Sequence, residues 1–141
     1  MRKMEIKVRY VRSIEPLEKH GDWIDLRCAE DTAVFKGEYK MIPLGVAMQL
    51  PDGYEAICAP RSSTFGKWGI LLANSIGVID EDYSGDNDEW QFLAYPTRDI
   101  VIPKNTRIAQ FRIIEHMPDV GIVTVDHLDN PDRGGIGSTG A

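Results

Sequence analysis

The chain has 141 residues, 43% of them hydrophobic and 27% charged, with a formal net charge of −6. That length suits one domain around a single core, and the composition excludes a disordered or fibrous chain. The acidic balance argues against non-specific nucleic-acid binding; no apolar run nears the roughly 20 residues of a membrane span, and Met1-Arg2-Lys3-Met4-Glu5 opens no secretory signal, so the expectation is a cytoplasmic protein.

Short apolar or alternating runs recur between Gly, Pro and Asp punctuation. They predict strands at 6–10, 24–28, 39–44, 54–58, 70–73, 90–95, 100–102, 108–114 and 122–125, with at most one short turn of helix at 62–67. The class is therefore all-β, a sandwich or barrel over residues 1–129. Residues 130–141 carry too many glycines to join a core and form a separate arm. Cys28 and Cys58 lie far apart with no metal-type spacing and are expected to be reduced core residues.

Three segments hold more chemistry than a fold requires. Ala59-Pro60-Arg61-Ser62-Ser63 follows a strand and opens the helical turn, where Arg61, Ser62, Ser63 and free N–H groups would receive an anion. The same residues also serve as ordinary caps. In Asn74-Ser75-Ile76-Gly77-Val78-Ile79-Asp80-Glu81-Asp82-Tyr83-Ser84-Gly85, apolar residues lead into Asp80, a carboxylate placed at a strand end as a general base should be. The third segment is the tail, where Arg133, Gly135, Ile136, Gly137, Ser138 and Thr139 could wrap a polyphosphate.

Taken together, these segments resemble the motifs of the trimeric dUTPase family, in the right order and over nearly the whole chain. Gly-Val-Ile-Asp-Glu-Asp-Tyr-Ser-Gly at 77–85 is the most diagnostic; Ala-Pro-Arg-Ser-Ser at 59–63, Arg-Ile-Ala-Gln at 107–110 and Gly-Ser-Thr-Gly at 137–140 support it. The family's first motif survives only as Trp23-Ile24-Asp25-Leu26.

The resemblance implies a distorted jelly roll, a homotrimer, and hydrolysis of dUTP to dUMP and pyrophosphate with Mg²⁺, keeping uracil out of DNA. It makes Asp80 the base that deprotonates the attacking water, with Gln110 near the α-phosphate. Arg61, Ser62 and Ser63 would hold the phosphate chain. A hairpin from Asn74 to Tyr83, through Gly77, Val78 and Ile79, would read the uracil edge, and Tyr83 would exclude a 2′-hydroxyl. Arg133, Ser138 and Thr139 would reach the γ-phosphate from a neighbouring subunit, and Asp25 would either touch the metal through water or serve as a structural cap. The family's tail reads Arg-Gly-x-Gly-Gly-Phe-Gly-Ser-Thr-Gly, with the phenylalanine on uracil. Here Ile136 takes that place in a shorter arm, so another aromatic should cover the base, with Trp90 and Phe92 as candidates.

Two competing functions belong to other classes. A dCTP deaminase of the same fold needs a glutamate on the strand after the motif, and Trp90-Gln91-Phe92-Leu93-Ala94-Tyr95 has none. A nucleotide-gated regulatory module would use the acidic stretch 81–89 to meet a protein partner, although the residues favour a solvated loop there. His20, His116 and His127 are scattered outside the motifs and are read as non-catalytic; Trp23 and Trp68 are read as core or interface, and Arg107 as a structural arginine.

Overall fold

The structure is a computed structural model and describes residues 3–137. Its described part contains eleven strands and one helix, with every strand pairing antiparallel. β1 (Lys7–Tyr10) pairs with β5 (Val46–Gln49), and β3 (Thr32–Val34) with β10 (Ile100–Ile102). A four-stranded sheet has the order β2 (Ile24–Arg27), β11 (Arg107–Glu115), β6 (Tyr54–Pro60), β8 (Gly77–Ile79). A three-stranded sheet has the order β4 (Lys40–Pro43), β9 (Gln91–Pro96), β7 (Ile70–Leu72). The result is the all-β fold that the alternating runs predict, with the jelly-roll-like arrangement that the resemblance implies.

Side chains alternate across each strand, and the sheets turn one face inward. From β6 and β11 the inward residues are Ala56, Cys58, Ala109 and Phe111, which join Leu26, Ile42, Trp90 and Phe92 in one cluster. The Phe111 ring meets Trp90 edge-on, with centroids 5.0 Å apart and planes at 76°. Each large apolar side chain buried this way stabilises the fold by about 1.5–3 kcal/mol. On the opposite face of the same two strands lie Ile57, Ala59, Gln110, Arg112 and Ile114, and beside them Val78, which is 57% exposed.

Three strands escape the sequence pattern. In β5, Val46, Ala47 and Met48 are all buried, so nothing alternates; β3 and β8 have three residues each. One expectation fails outright, because 122–125 is not a strand: Ile122 is 98% exposed and the segment pairs with nothing in the described chain. Composition makes a strand only where a neighbouring strand can supply hydrogen bonds. The helix, α1 (Thr64–Trp68), lies where the turn was expected and stops at Gly69, whose φ of 65° is left-handed. Trp68 packs partly against the core, while Trp23 lies under the Arg112 guanidinium, 5.5 Å from its carbon.

Gly77 is required by close approach. It stands opposite Cys58 on β6, and a Cβ at position 77 would come within 3.0 Å of the Cys58 Cβ.

Both cysteines are buried and free. Burial pushes the Cys58 thiol up to about 12 and raises Cys28 as well. Since the thiolate is the reactive form, neither thiol of the native protein should react with Ellman's reagent at pH 8, and both should do so once the chain is unfolded. Rapid modification of the native protein would contradict this packing. The raised Cys58 value also means that the unfolded chain ionises first, so stability is lost as pH rises from the ordinary value of 9.0 toward 12.

Candidate active site

One group of candidate residues gathers at the Pro60 end of the four-stranded sheet. Because β11 runs between β2 and β6, Gln110 stands opposite Asp25 on one side and Ala59 on the other. Arg61, just past β6, places Nε 3.2 Å from Asp25 Oδ1, and Arg107 places Nη1 3.5 Å from Asp25 Oδ2. Arg61 Nη1 also donates to the Arg107 carbonyl at 3.3 Å. Two guanidiniums against one carboxylate leave the group with a net positive charge suited to an anion. Arg107, half-exposed, belongs to this group and is not an internal structural arginine.

A residue the sequence reading missed locks this end. The buried Thr64 hydroxyl accepts the Arg61 N–H at 2.9 Å and donates to the Ile108 carbonyl at 2.8 Å, fixing the loop to β11. Its only sequence signal is a threonine three residues after the arginine. Ser63 is the N-cap of α1, but its hydroxyl caps nothing, and Ser62 is exposed. Both hydroxyls are open to a ligand. Gln110 Nε2 donates to the Pro60 carbonyl at 3.0 Å, which fixes the side chain through its nitrogen.

A second group lies at the other end of β6. β8 pairs with β6 so that Ile79 faces Ala56, and the chain leaves the sheet at Asp80, beside Glu55. Six residues of strand separate Glu55 from Arg61, about 20 Å at about 3.3 Å per residue. The sequence reading placed Asp80 and Arg61 in one site assembled from more than one subunit; one chain by itself does not bring them together. β8 is the edge of its sheet, so one row of its N–H and C=O groups is unpaired. The expected hairpin is also different in kind: β7 pairs with β9 and β8 with β6, so the turn through Asn74 crosses between sheets. Ser75 sits there at a φ of 61°, and the Ile76 N–H donates to the Asn74 carbonyl at 2.6 Å.

Asp80 borders two cavities. The larger, about 570 Å³, is lined by Asp52, Asp80, Glu81 and Asp82 among others, and so many carboxylates repel a triphosphate. The smaller, about 260 Å³, has apolar walls from Met41, Val78, Ile79 and Leu93, with Tyr83 and Gln91 at its polar side. That one suits a base and sugar. The Tyr83 N–H closes a turn onto the Asp80 carbonyl at 3.1 Å, and its hydroxyl donates to the Glu89 carbonyl at 3.0 Å. Burial, then the charges of Asp88 and Glu89, raise the Tyr83 phenol and keep it a proton donor.

The stretch 81–89 is less of an open acidic surface than its composition implies. Glu81 accepts the Gly53 N–H at 2.9 Å and faces His116 Nε2 at 3.3 Å. Asp88 accepts the Gly85 N–H at 2.8 Å, and Glu89 binds Arg12 and Gly45. Asp82 and Asp86 side chains make no hydrogen bond or ion pair among the described residues. Phe92, 2% exposed, is held in the core and lines neither cavity beside Asp80, so the expectation that it covers a base is corrected; Trp90, 1% exposed, borders the smaller cavity from the core side. Arg133, Gly135, Ile136 and Gly137 are exposed, and Ser138 and Thr139 lie outside the described residues.

The dUTPase family profile matches residues 18–140. The chain is 56% identical over 141 residues to an SPbeta prophage-derived deoxyuridine 5'-triphosphate nucleotidohydrolase of Bacillus subtilis (strain 168), covering 97% of this chain and 99% of that one. The fold is similar to that of a dUTPase from Streptococcus mutans, with a TM-score of 0.70, 26% identity, and coverage of 82% of this chain and 98% of that one. It is also similar to a Staphylococcus bacteriophage 80alpha dUTPase solved with dUpNHpp, with a TM-score of 0.76, 22% identity, and coverage of 97% and 99%.

Proposed function

We propose, from the premise that this chain belongs to the dUTPase family and is a deoxyuridine 5'-triphosphate nucleotidohydrolase, that its active sites are built between copies of the chain. The observation that carries this is the spacing along β6: Asp80 stands at one end, and Arg61 with Gln110 lies about 20 Å away past the other. A base cannot serve a phosphate held that far off. One copy therefore supplies Asp80 and the small cavity, and a neighbour supplies Arg61, Ser62, Ser63 and Gln110. Ile57, Ile114 and Val78, on the sheet face turned from the core, give the copies an apolar surface to bury. Closed symmetry is the general outcome, and the assembly is a homotrimer.

In that site the uracil edge, with its acceptor, donor, acceptor order, pairs with the unpaired backbone row of Gly77–Ile79, helped by the Asn74 amide. Tyr83 lies against the sugar and excludes a 2′-hydroxyl. Asp80 takes a proton from the attacking water; a bond forms from the water oxygen to the α-phosphorus, the α,β-bridge bond breaks, and pyrophosphate leaves. With its nitrogen on Pro60, Gln110 has a carbonyl oxygen with no partner among the described residues, available to orient that water. Arg61 and the two serines hold the phosphate oxygens, where positioning and charge stabilisation are the main tasks. Residues 130–141 form the arm that closes over the phosphates of a neighbouring copy, through Arg133, Gly135, Ile136, Gly137, Ser138 and Thr139.

The donor set fits a Mg²⁺ carried in on the nucleotide. No three His, Cys, Asp or Glu side chains form a metal cage among the described residues, and Mg²⁺ is commonly held by phosphates, water and one carboxylate. Asp25, with both oxygens against guanidiniums, would reach it through water. When bound, the ion supplies neutralisation of phosphate charge.

Light scattering should give a mass three times the 15.8 kDa of one chain, with pyrophosphate released from dUTP and not from UTP, dCTP or dTTP. A fully active monomer would overturn the shared site.

A further inference from the structure

Tyr83 can act as a barrier only if it is prevented from swinging aside. It is 40% exposed, and its ring is tied by the bond from its hydroxyl to the Glu89 carbonyl. What holds Glu89 is therefore what holds the barrier. The Glu89 carboxylate, only 14% exposed, accepts Arg12 Nε at 2.8 Å, Arg12 Nη2 at 3.3 Å and the Gly45 N–H at 2.9 Å. Forked guanidinium bonds of this kind are strong and directional. Arg12 is steadied in turn, since Nη1 lies 3.3 Å from Glu30 and the adjacent Val11 N–H donates to the Gly45 carbonyl at 2.9 Å. Glu89 lines the small cavity beside Tyr83, and Arg12, 77 residues away in the chain, does not.

We infer that Arg12, acting through Glu89, is a positioning residue for Tyr83 and thereby contributes to the choice of deoxyribose over ribose. The inference rests on the reading of Tyr83 as the barrier. Without Arg12, the Glu89 carboxylate is left largely buried with one backbone partner, and an uncompensated charge in that position turns toward water. Residue 89 moves with it, its carbonyl leaves the phenol, and Tyr83 gains room to yield to a 2′-hydroxyl. Arg12 touches no substrate, so turnover of dUTP changes less than selectivity does.

The test compares kcat/KM for UTP and dUTP in Arg12→Ala, Arg12→Lys, Tyr83→Phe and the double variant Arg12→Ala/Tyr83→Phe. The UTP/dUTP ratio should rise about fivefold in Arg12→Ala, the worth of one hydrogen bond, and by a similar factor in Tyr83→Phe. The double variant should rise no further, because both changes break the same tether. Arg12→Lys, which keeps the charge and loses the fork, should fall between, and it decides the matter if Arg12→Ala does not fold. An unchanged ratio alongside a lower melting temperature makes Arg12 merely structural and overturns the inference, as do additive effects in the double variant. Tyr83→Ala separates the premises. If its ratio is unchanged, the barrier reading fails and takes this inference with it; if its ratio rises while that of Arg12→Ala does not, only the inference fails.

Discussion

Asp80→Asn should fold, assemble and bind dUTP, yet lose about 10²–10⁴ of its turnover, the usual cost of removing a general base. Asp80 is the first residue past β8, exposed and outside the core cluster, so stability does not depend on it. The amide keeps the shape and cannot accept the proton of water. A variant with more than half of wild-type activity would remove Asp80 from the role. The placement of the two groups makes a sharper experiment possible. Arg61→Ala should also be inactive, because the phosphate is no longer held. Co-assembled one to one, the two inactive chains should recover activity if, as proposed, a site takes Asp80 from one copy and Arg61 from another. Random mixing around a closed ring leaves about a quarter of the sites with both intact residues. No recovery, with mixed assemblies demonstrated by mass, would mean that one chain somehow supplies both.

Deleting residues 130–141 should leave the oligomer and its melting temperature unchanged while kcat for dUTP falls on the order of 10²-fold, the penalty for losing alignment at a reacting centre. The described part of the arm is exposed and outside the core cluster, so little stability is at stake. Without the arm, the phosphate chain is free to sample orientations away from the line of attack, and water enters. Near-normal kcat would show a passive tail.

Much of the strand layout was readable because alternation is a local property, and eight of the nine predicted runs fall on strands within a few residues. The failures have identifiable causes. The run at 122–125 is apolar enough for a strand, but strand formation depends on a partner that the described residues do not offer. Val46-Ala47-Met48 is buried on both faces, which erases the pattern. The site divides in the same way. Motifs contiguous in sequence, such as 59–63 and 77–85, announce their chemistry residue by residue. Their separation along β6 is set by the pairing of Ile79 with Ala56 and of Ala109 with Pro60, registers fixed by long-range packing. The Thr64 lock and the Arg12–Glu89 pair were invisible for a related reason, since each links residues more than forty positions apart.

The 3.0 Å that a Cβ at position 77 would leave to Cys58 makes those two positions a single choice. The most recognisable glycine of the chain is there because of the neighbour it faces on β6. Transplanting the Asn74–Tyr83 segment into another scaffold would therefore carry a hidden requirement. The glycine must face a strand that approaches as closely as β6 does, or β8 will stand off from its neighbour and deliver the Asp80 carboxylate out of line. The portable unit is the segment together with its facing strand.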